Sequence, residues 1–211
     1  QPVYRINCGG GAVSPFAADQ YYNGGGAFSS GSTIDMSGVT DPAPMAVYQS
    51  ERYTSAFGYD FTSLIAGASY KVRLHFAELY FTAAGSRVFN VYINSSQVLT
   101  NFDVVAVSGA GNRAVVREFT ITATAGGQIN LWFASMTENP KINGIEIWTV
   151  GSSGVQPPII NSMRPTGNKP ELGWTSVAGL TYAVYKSTNL LAGWIVTPLT
   201  NITGDGAAKT F

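Results

Sequence analysis

Charge is scarce in this chain of 211 residues. Its 12 acidic and 12 basic residues cancel and amount to 11% of the sequence, against roughly 25% in an average soluble domain. Without a basic excess there is no field to gather nucleic acid, and no run of like charge forms a tail. Cysteine is scarcer still: Cys8 alone excludes an internal disulfide framework and a cysteine-based zinc site. Its glycine-flanked, apolar context reads as a small buried hydrophobe. The single histidine, His75, leaves little room for cysteine–histidine nucleophilic chemistry. No run approaches 18 consecutive apolar residues, so nothing reads as a membrane span. Residues Gln1 to Asn7 lack a basic region followed by an apolar stretch, so an export signal, if one existed, has been removed. No segment of ten or more residues shows a capped helical stripe.

What is present is a core-forming composition, with 45% hydrophobic and 12% aromatic residues, punctuated by 24 glycines and 10 prolines. The apolar positions repeat every two residues. Tyr70, Val72, Leu74 and Phe76 share one face while Lys71, Arg73 and His75 share the other, the signature of a half-buried strand. Phe89 to Ile93, Phe119 to Ile121, Ile129 to Phe133 and Ile145 to Ile147 repeat the pattern. Short strands joined by turns predict an all-β sandwich.

A boundary is expected near residue 150. Residues 150–160 contain the turn-rich Gly151-Ser-Ser-Gly-Val-Gln-Pro-Pro158 and read as a semi-rigid linker. Residues 161–211 then form a small, incomplete β module. Its strand-like runs are Leu172–Ser176, Tyr182–Ser187, Trp194–Leu199 and one starting near Ala207, fewer than the seven strands of a complete sandwich. The chain is therefore expected to be part of something larger.

Gly109-Ala-Gly-Asn-Arg-Ala114 matches a dinucleotide-binding pattern, but it precedes a strand rather than a helix, so a hairpin turn is expected. The glycine triplets at 9–11 and 24–26 lack the lysine and serine of a phosphate loop and read as turns. Glycoside hydrolysis needs two carboxylates roughly 5 to 10 Å apart. Among ten acidic residues in the first 150, Glu51, Glu78 and Glu138 are the candidates near aromatics, for a small glycosidase or lyase. Partly buried ion pairs with Arg52 and Arg73 are the alternative use of the first two. His75 reads as a hydrogen-bonded surface or wall residue. No cluster has metal-ligand spacing and no cofactor is implied, although Asp19, Asp35 or Asp41 could join backbone carbonyls around a structural calcium.

Aromatic residues also gather near strand ends: Tyr21 and Tyr22, Tyr53, Tyr80 and Phe81. Flat rings beside a few fixed polar groups suit the apolar faces and hydroxyl rim of a sugar, while ordinary packing and a purely structural spacer remain alternatives. The blocks Tyr4–Gly10, Phe16–Asp19, Val47–Tyr53, Tyr70–Phe81, Arg87–Asn90 and Asn139–Ile145, in this order, resemble the malectin domain, classed as carbohydrate-binding module family 57. The resemblance covers residues 1–149. It implies a jelly-roll, galactose-binding-like β-sandwich without catalytic activity, binding glucose-containing oligosaccharides through loops at one end. It implies a ring cage of Phe16, Tyr53, Tyr80 and Phe81 with Glu138 at the acidic position; Tyr21 and Asn139 adjoin these loops and complete the expected site. Residues 161–211 resemble the start of a fibronectin-III-like repeat. The expectation is a non-catalytic module, secreted or cell-surface and bacterial, that binds neutral glucan-like carbohydrate. A covalently attached catalytic domain, a glycoside hydrolase, would complete the parent chain.

Overall fold

The computed structural model describes residues 2–150, 160–166, 169–176, 181–184, 200–203 and 207–210. The chain divides into two units, Gln1–Val150 and Gly151–Phe211. In the first, the order is β1 (Pro2–Asn7), β2 (Tyr22–Asn23), β3 (Gly26–Ser29), α1 (Met45–Tyr48), β4 (Ser50–Tyr53), β5 (Ala56–Phe61) and β6 (Ser69–Ala77). There follow β7 (Val88–Ile93), β8 (Ser96–Phe102), α2 (Val104–Ser108), β9 (Ala114–Thr122), β10 (Ile129–Thr137), β11 (Lys141–Ile142) and β12 (Gly144–Thr149). They build a four-stranded sheet β1-β12-β6-β9, a five-stranded sheet β2-β5-β10-β7-β8 and a three-stranded sheet β11-β4-β3.

The period-two pattern explains the sandwich. Tyr70, Val72, Leu74 and Phe76 of β6, with Ile145 and Ile147 of β12, join one buried cluster with Phe57, Tyr59 and Phe61 of β5. Phe89, Val91 and Ile93 of β7 and Ile129, Leu131 and Phe133 of β10 complete it. Phe57 stacks on Phe133 at 4.7 Å. Burying each such side chain contributes about 1.5–3 kcal/mol, so the two inner faces hold the layers together. Cys8 lies in the same core, fully buried and unpaired.

The other face of β6 is not a solvent face. Arg73 is 6% exposed and His75 fully buried, because a long segment crosses the sheet and lays down a second cluster containing Phe16, Ile34, Ala43, Val47 and Tyr48. The expected surface position of His75 is thus corrected. Its Nε2 donates to Glu146 at 3.1 Å and its Nδ1 accepts from the Tyr48 hydroxyl at 2.9 Å. The expected hairpin at Gly109 is also corrected. Gly109 adopts φ 82° as the left-handed C-cap of α2, where glycine carries no Cβ penalty, and α2 links β8 to β9 in a different sheet.

In the second unit β13 (Ile160–Thr166), β14 (Lys169–Thr175) and β17 (Ala208–Thr210) form one sheet, and β15 (Thr181–Val184) pairs with β16 (Thr200–Thr203). Trp174 is 3% exposed and meets Tyr182 edge-on at 6.2 Å. The linker positions 151–159 and the expected run Trp194–Leu199 lie outside the described residues, as do residues 185–187 of the run from Tyr182. Strand β13 already begins at Ile160, and β16 answers to no run expected from the sequence.

Candidate functional site

The three-stranded sheet supplies a floor. Register places Phe28 opposite Glu51 and Tyr53 opposite Lys141. Alternation along β4 puts Glu51 and Tyr53 on one face, so these four side chains share it. Tyr80 and Phe81 come from the bend after β6, Arg87 from the approach to β7, and Glu138 and Asn139 from the turn after β10. Phe28, Glu51, Tyr53, Tyr80, Phe81, Arg87, Glu138 and Asn139 line one cleft of about 540 Å³. Tyr80 is 73% exposed and stands edge-on to Phe81, ring centres 5.0 Å apart.

Glu78, 1% exposed, builds this wall. Its Oε1 accepts from the backbone N–H groups of Tyr80 at 3.0 Å and Phe81 at 3.2 Å, and its Oε2 accepts from Arg87 Nε at 2.8 Å. Arg87 lies against the Phe81 ring, 5.1 Å from its centre, and donates through Nη1 to the Asn139 carbonyl. One buried carboxylate and one guanidinium therefore tie the Tyr80–Phe81 loop to the Glu138–Asn139 turn. Glu138 itself holds a left-handed φ of 59°, an unfavourable conformation for a residue with a Cβ. The Ser135 hydroxyl donates to the Glu138 carbonyl at 2.5 Å.

Beneath the floor Lys141, fully buried, contacts Glu51 Oε2 and the Ala77 carbonyl. Burial pushes the Lys141 ammonium below its ordinary pKa, and the carboxylates of Glu51 and Glu78 oppose that shift. Two acids and two bases, none more than 7% exposed, neutralise one another under the rings. Arg87 is the one cation among the lining residues, and its ion pair is internal. Glu51 and Glu78 do pair, but with Lys141 and Arg87 rather than with Arg52 and Arg73. Arg52 instead pairs with Asp19 at 2.7 Å, and Arg73 with Glu146 at 2.8 Å and Glu118 at 2.7 Å.

Five of the seven expected site residues, Tyr53, Tyr80, Phe81, Glu138 and Asn139, thus meet. Phe16 and Tyr21 do not line this cleft. Phe16 is 4% exposed in the second cluster, edge-on to His75 at 6.0 Å. Tyr21 packs edge-on against Tyr4 at 5.3 Å and tilted against Phe61 at 5.7 Å. The ring the sequence analysis missed is Phe28, which no strand pattern marks out and which β3 alone carries to the floor. Glu51, a candidate as a carboxylate near aromatics, does line the cleft, but as the partner of Lys141; Arg87 carries no local signal because its partners are distant in sequence. Another cleft, of about 570 Å³, contains Phe16 and Trp148, but its Arg5, Arg73, Glu118 and Glu146 are already bound to one another. Asp19 accepts from the Gly9 N–H, Arg52 and Tyr59, and Asp35 binds the Ser37 N–H and Arg113. No three His, Cys, Asp or Glu side chains converge as metal ligands among the described residues.

Among known proteins, the family model described as the malectin domain matches residues 2–145. The chain belongs to the malectin family. The chain is similar to the receptor-like protein kinase FERONIA of Arabidopsis thaliana, 28% identical over 84% of this chain and 25% of that protein. The chain thus spans about a quarter of that relative. The ANX2 ectodomain of the same plant shares the fold at 20% identity, TM-score 0.64, over 70% of this chain and 49% of that one. So does a chain in the complex of the plant peptide RALF23 with FER and LLG2, at 24% identity and TM-score 0.63, over 72% and 49%. Among the described residues no helix is long and apolar enough to cross a membrane.

Proposed function

We propose that the malectin domain is a non-catalytic carbohydrate-binding module that takes neutral, glucose-containing oligosaccharide or polysaccharide into the cleft of Tyr53, Tyr80 and Phe81. One observation carries this reading: rings from three separate loops and strands converge over a floor whose buried charges are already neutralised, with Glu138 and Asn139 at the rim. Rings stack on pyranose C–H faces, and rim groups accept or donate to hydroxyls. A paired floor offers no free cation to recruit an acidic sugar.

The same pairing argues against the glycosidase or lyase alternative. Glu51 and Glu78 face Lys141 and Arg87, which leaves Glu138 without a second free carboxylate in the cleft for the paired chemistry of glycoside hydrolysis. A small, wet site of this kind binds with Kd on the order of 10 μM to 1 mM, about −4 to −7 kcal/mol. Isothermal calorimetry with gluco-oligosaccharides is the test. Tyr80→Ala, at an exposed position, and Phe81→Ala, at a half-buried one, are expected to abolish binding without changing the melting temperature by more than a few degrees. Binding that survives both changes places the sugar elsewhere.

A second reading, capture of a peptide, draws on the relative solved with RALF23. A peptide needs a longer apolar track or a sheet edge, and the compact cleft favours the sugar. The relatives named are plant receptor proteins. They lend support to an extracellular or cell-surface setting and to attachment to a larger chain, and none to a bacterial source or a hydrolase parent. The second unit is read as a spacer of fibronectin-III-like kind, its two small sheets and Trp174–Tyr182 contact being the support.

A further inference from the structure

Away from the cleft, two aromatic residues stand side by side on a sheet surface, Trp132 exposed and Tyr92 half-buried. Trp132 of β10 is 45% exposed. Register sets it beside Tyr92 of β7 on one side and Gly58 of β5 on the other. Because Phe57, Tyr59, Leu131 and Phe133 point into the core, alternation puts Gly58, Trp132 and Tyr92 on the outer face of the five-stranded sheet. A Cβ at Gly58 would lie 3.0 Å from Trp132 Cε3 and 2.6 Å from the Leu131 carbonyl. The six-membered ring of the indole therefore covers the glycine, and its opposite face is left to solvent.

The row continues with Gln97 beyond Tyr92 and Asn23 beyond Gly58. Among the described residues neither the Tyr92 hydroxyl nor the Trp132 indole N–H has a hydrogen-bond partner. Two rings with free polar tips, set between side-chain amides, form a planar row without an ionic group; the nearest charge on this face, Asp60 in the adjoining row, accepts from the Asn130 amide. A protein interface wants an apolar core wider than two rings. A neutral polyol wants a ring to lie on and amides to bond.

We propose that this face is a second saccharide platform, which takes a neutral glucan along the length of its chain, separate from the cleft that binds a short segment. Trp132 and Glu138 are six residues apart in β10 and its following turn, roughly 17–20 Å at strand rise, so one sugar ring cannot touch both. Two weak contacts on one polymer raise its affinity through effective concentration. Such a gain appears with polymers and not with short oligosaccharides.

Binding is measured by calorimetry and affinity electrophoresis with a soluble α-glucan, a soluble β-glucan and a trisaccharide of each. Trp132→Ala and Tyr92→Ala are expected to weaken polymer binding about fivefold to tenfold and to leave trisaccharide binding unchanged. Tyr80→Ala/Phe81→Ala is expected to remove trisaccharide binding while leaving weak polymer retention, which adding Trp132→Ala then abolishes. Polymer binding by Trp132→Ala and Tyr92→Ala equal to that of the unchanged chain overturns the platform. So does failure of the unchanged chain to bind either polymer, or self-association in sedimentation that Trp132→Ala abolishes while polymer binding stays intact. Trisaccharide binding insensitive to the Tyr80 and Phe81 changes would instead sink the cleft and leave the platform standing.

Discussion

Glu78 shows how much a single buried side chain decides here. Its carboxylate satisfies two backbone N–H groups of the Tyr80–Phe81 bend and pairs with Arg87, so the protein's own groups hold the loop. Removing one partner of a buried pair leaves the other uncompensated and costs about 3–5 kcal/mol. Glu78→Ala is expected to lower unfolding free energy by that amount in urea titration and to abolish oligosaccharide binding at temperatures where the chain is still folded. Arg87→Met, which keeps the volume and removes the charge, strands Glu78 in the same way, and a loss smaller than about 1 kcal/mol would contradict the pairing described. The residue scale is also where the sequence is least legible. Tyr53, Tyr80, Phe81, Glu138 and Asn139 were readable because they belong to local blocks. Phe28 was not, since its place depends on β3 lying beside β4; Glu51 was readable as a candidate carboxylate but not its pairing with Lys141, and Arg87 was not readable, since Asn139 approaches from far along the chain.

At the scale of the element, β6 carries two different cores. Its inward face follows the period-two pattern, whereas its outer face is polar in sequence yet buried at Arg73 and His75, under the segment from Phe16 to Tyr48, with Lys71 left exposed. Burying those polar groups demands partners, and the network supplies them. The Tyr48 hydroxyl donates to His75, His75 donates to Glu146, and Glu146 also accepts from Arg5 at 2.9 Å and Arg73 at 2.8 Å. Burial raises the Tyr48 hydroxyl to about 12 and lowers the His75 pKa. Burial disfavours the Glu146 anion, but the hydrogen bond and charge of His75, joined by Arg5 and Arg73, outweigh it and hold the carboxyl at about 2.

Both His75 and Glu146 have folded-state pKa values below their unfolded ones, so the stability they contribute is present above the unfolded value and is lost as pH falls. The melting temperature is expected to be level above about pH 7, to decline as pH drops below the ordinary histidine pKa of about 6.5, and to fall again between about pH 4.5 and 2. The second step, from 4.5 to about 2 for Glu146, represents on the order of 3 kcal/mol. Calorimetric melting across this range checks it. His75→Gln is expected to remove the first decline and to shrink the second, which Arg5 and Arg73 then sustain alone; a profile in which the unchanged chain is most stable near pH 4 would refute the assignment.

For the whole molecule, the contrast is between a first unit with a closed sandwich core and a second unit of two small sheets. Among the described residues, the inner faces of the sandwich are supplied from within the first 150. A chain ending at Val150 is therefore expected to unfold in one cooperative transition, with a melting temperature within a few degrees of the full sequence, and to keep its oligosaccharide affinity. Loss of folding on truncation, seen by circular dichroism, would show that the core needs residues beyond it.

The sequence by itself determined the class of the fold and the family. Alternation dictates strands because side chains in an extended backbone must point to opposite faces, and six ordered blocks mark the malectin domain with most of its aromatic loop residues. Low and balanced charge excludes a field for nucleic acid. Only the tertiary structure decided which rings meet. Phe16 went to the covering layer over His75, Tyr21 to the Tyr4 and Phe61 edge, and Phe28 to the cleft floor, because strand pairing and ion pairs across long sequence separations fix those positions. It also turned an unremarked Gly58 and Trp132 into neighbours, since a register between strands is a property of the sheet and is written in neither strand alone.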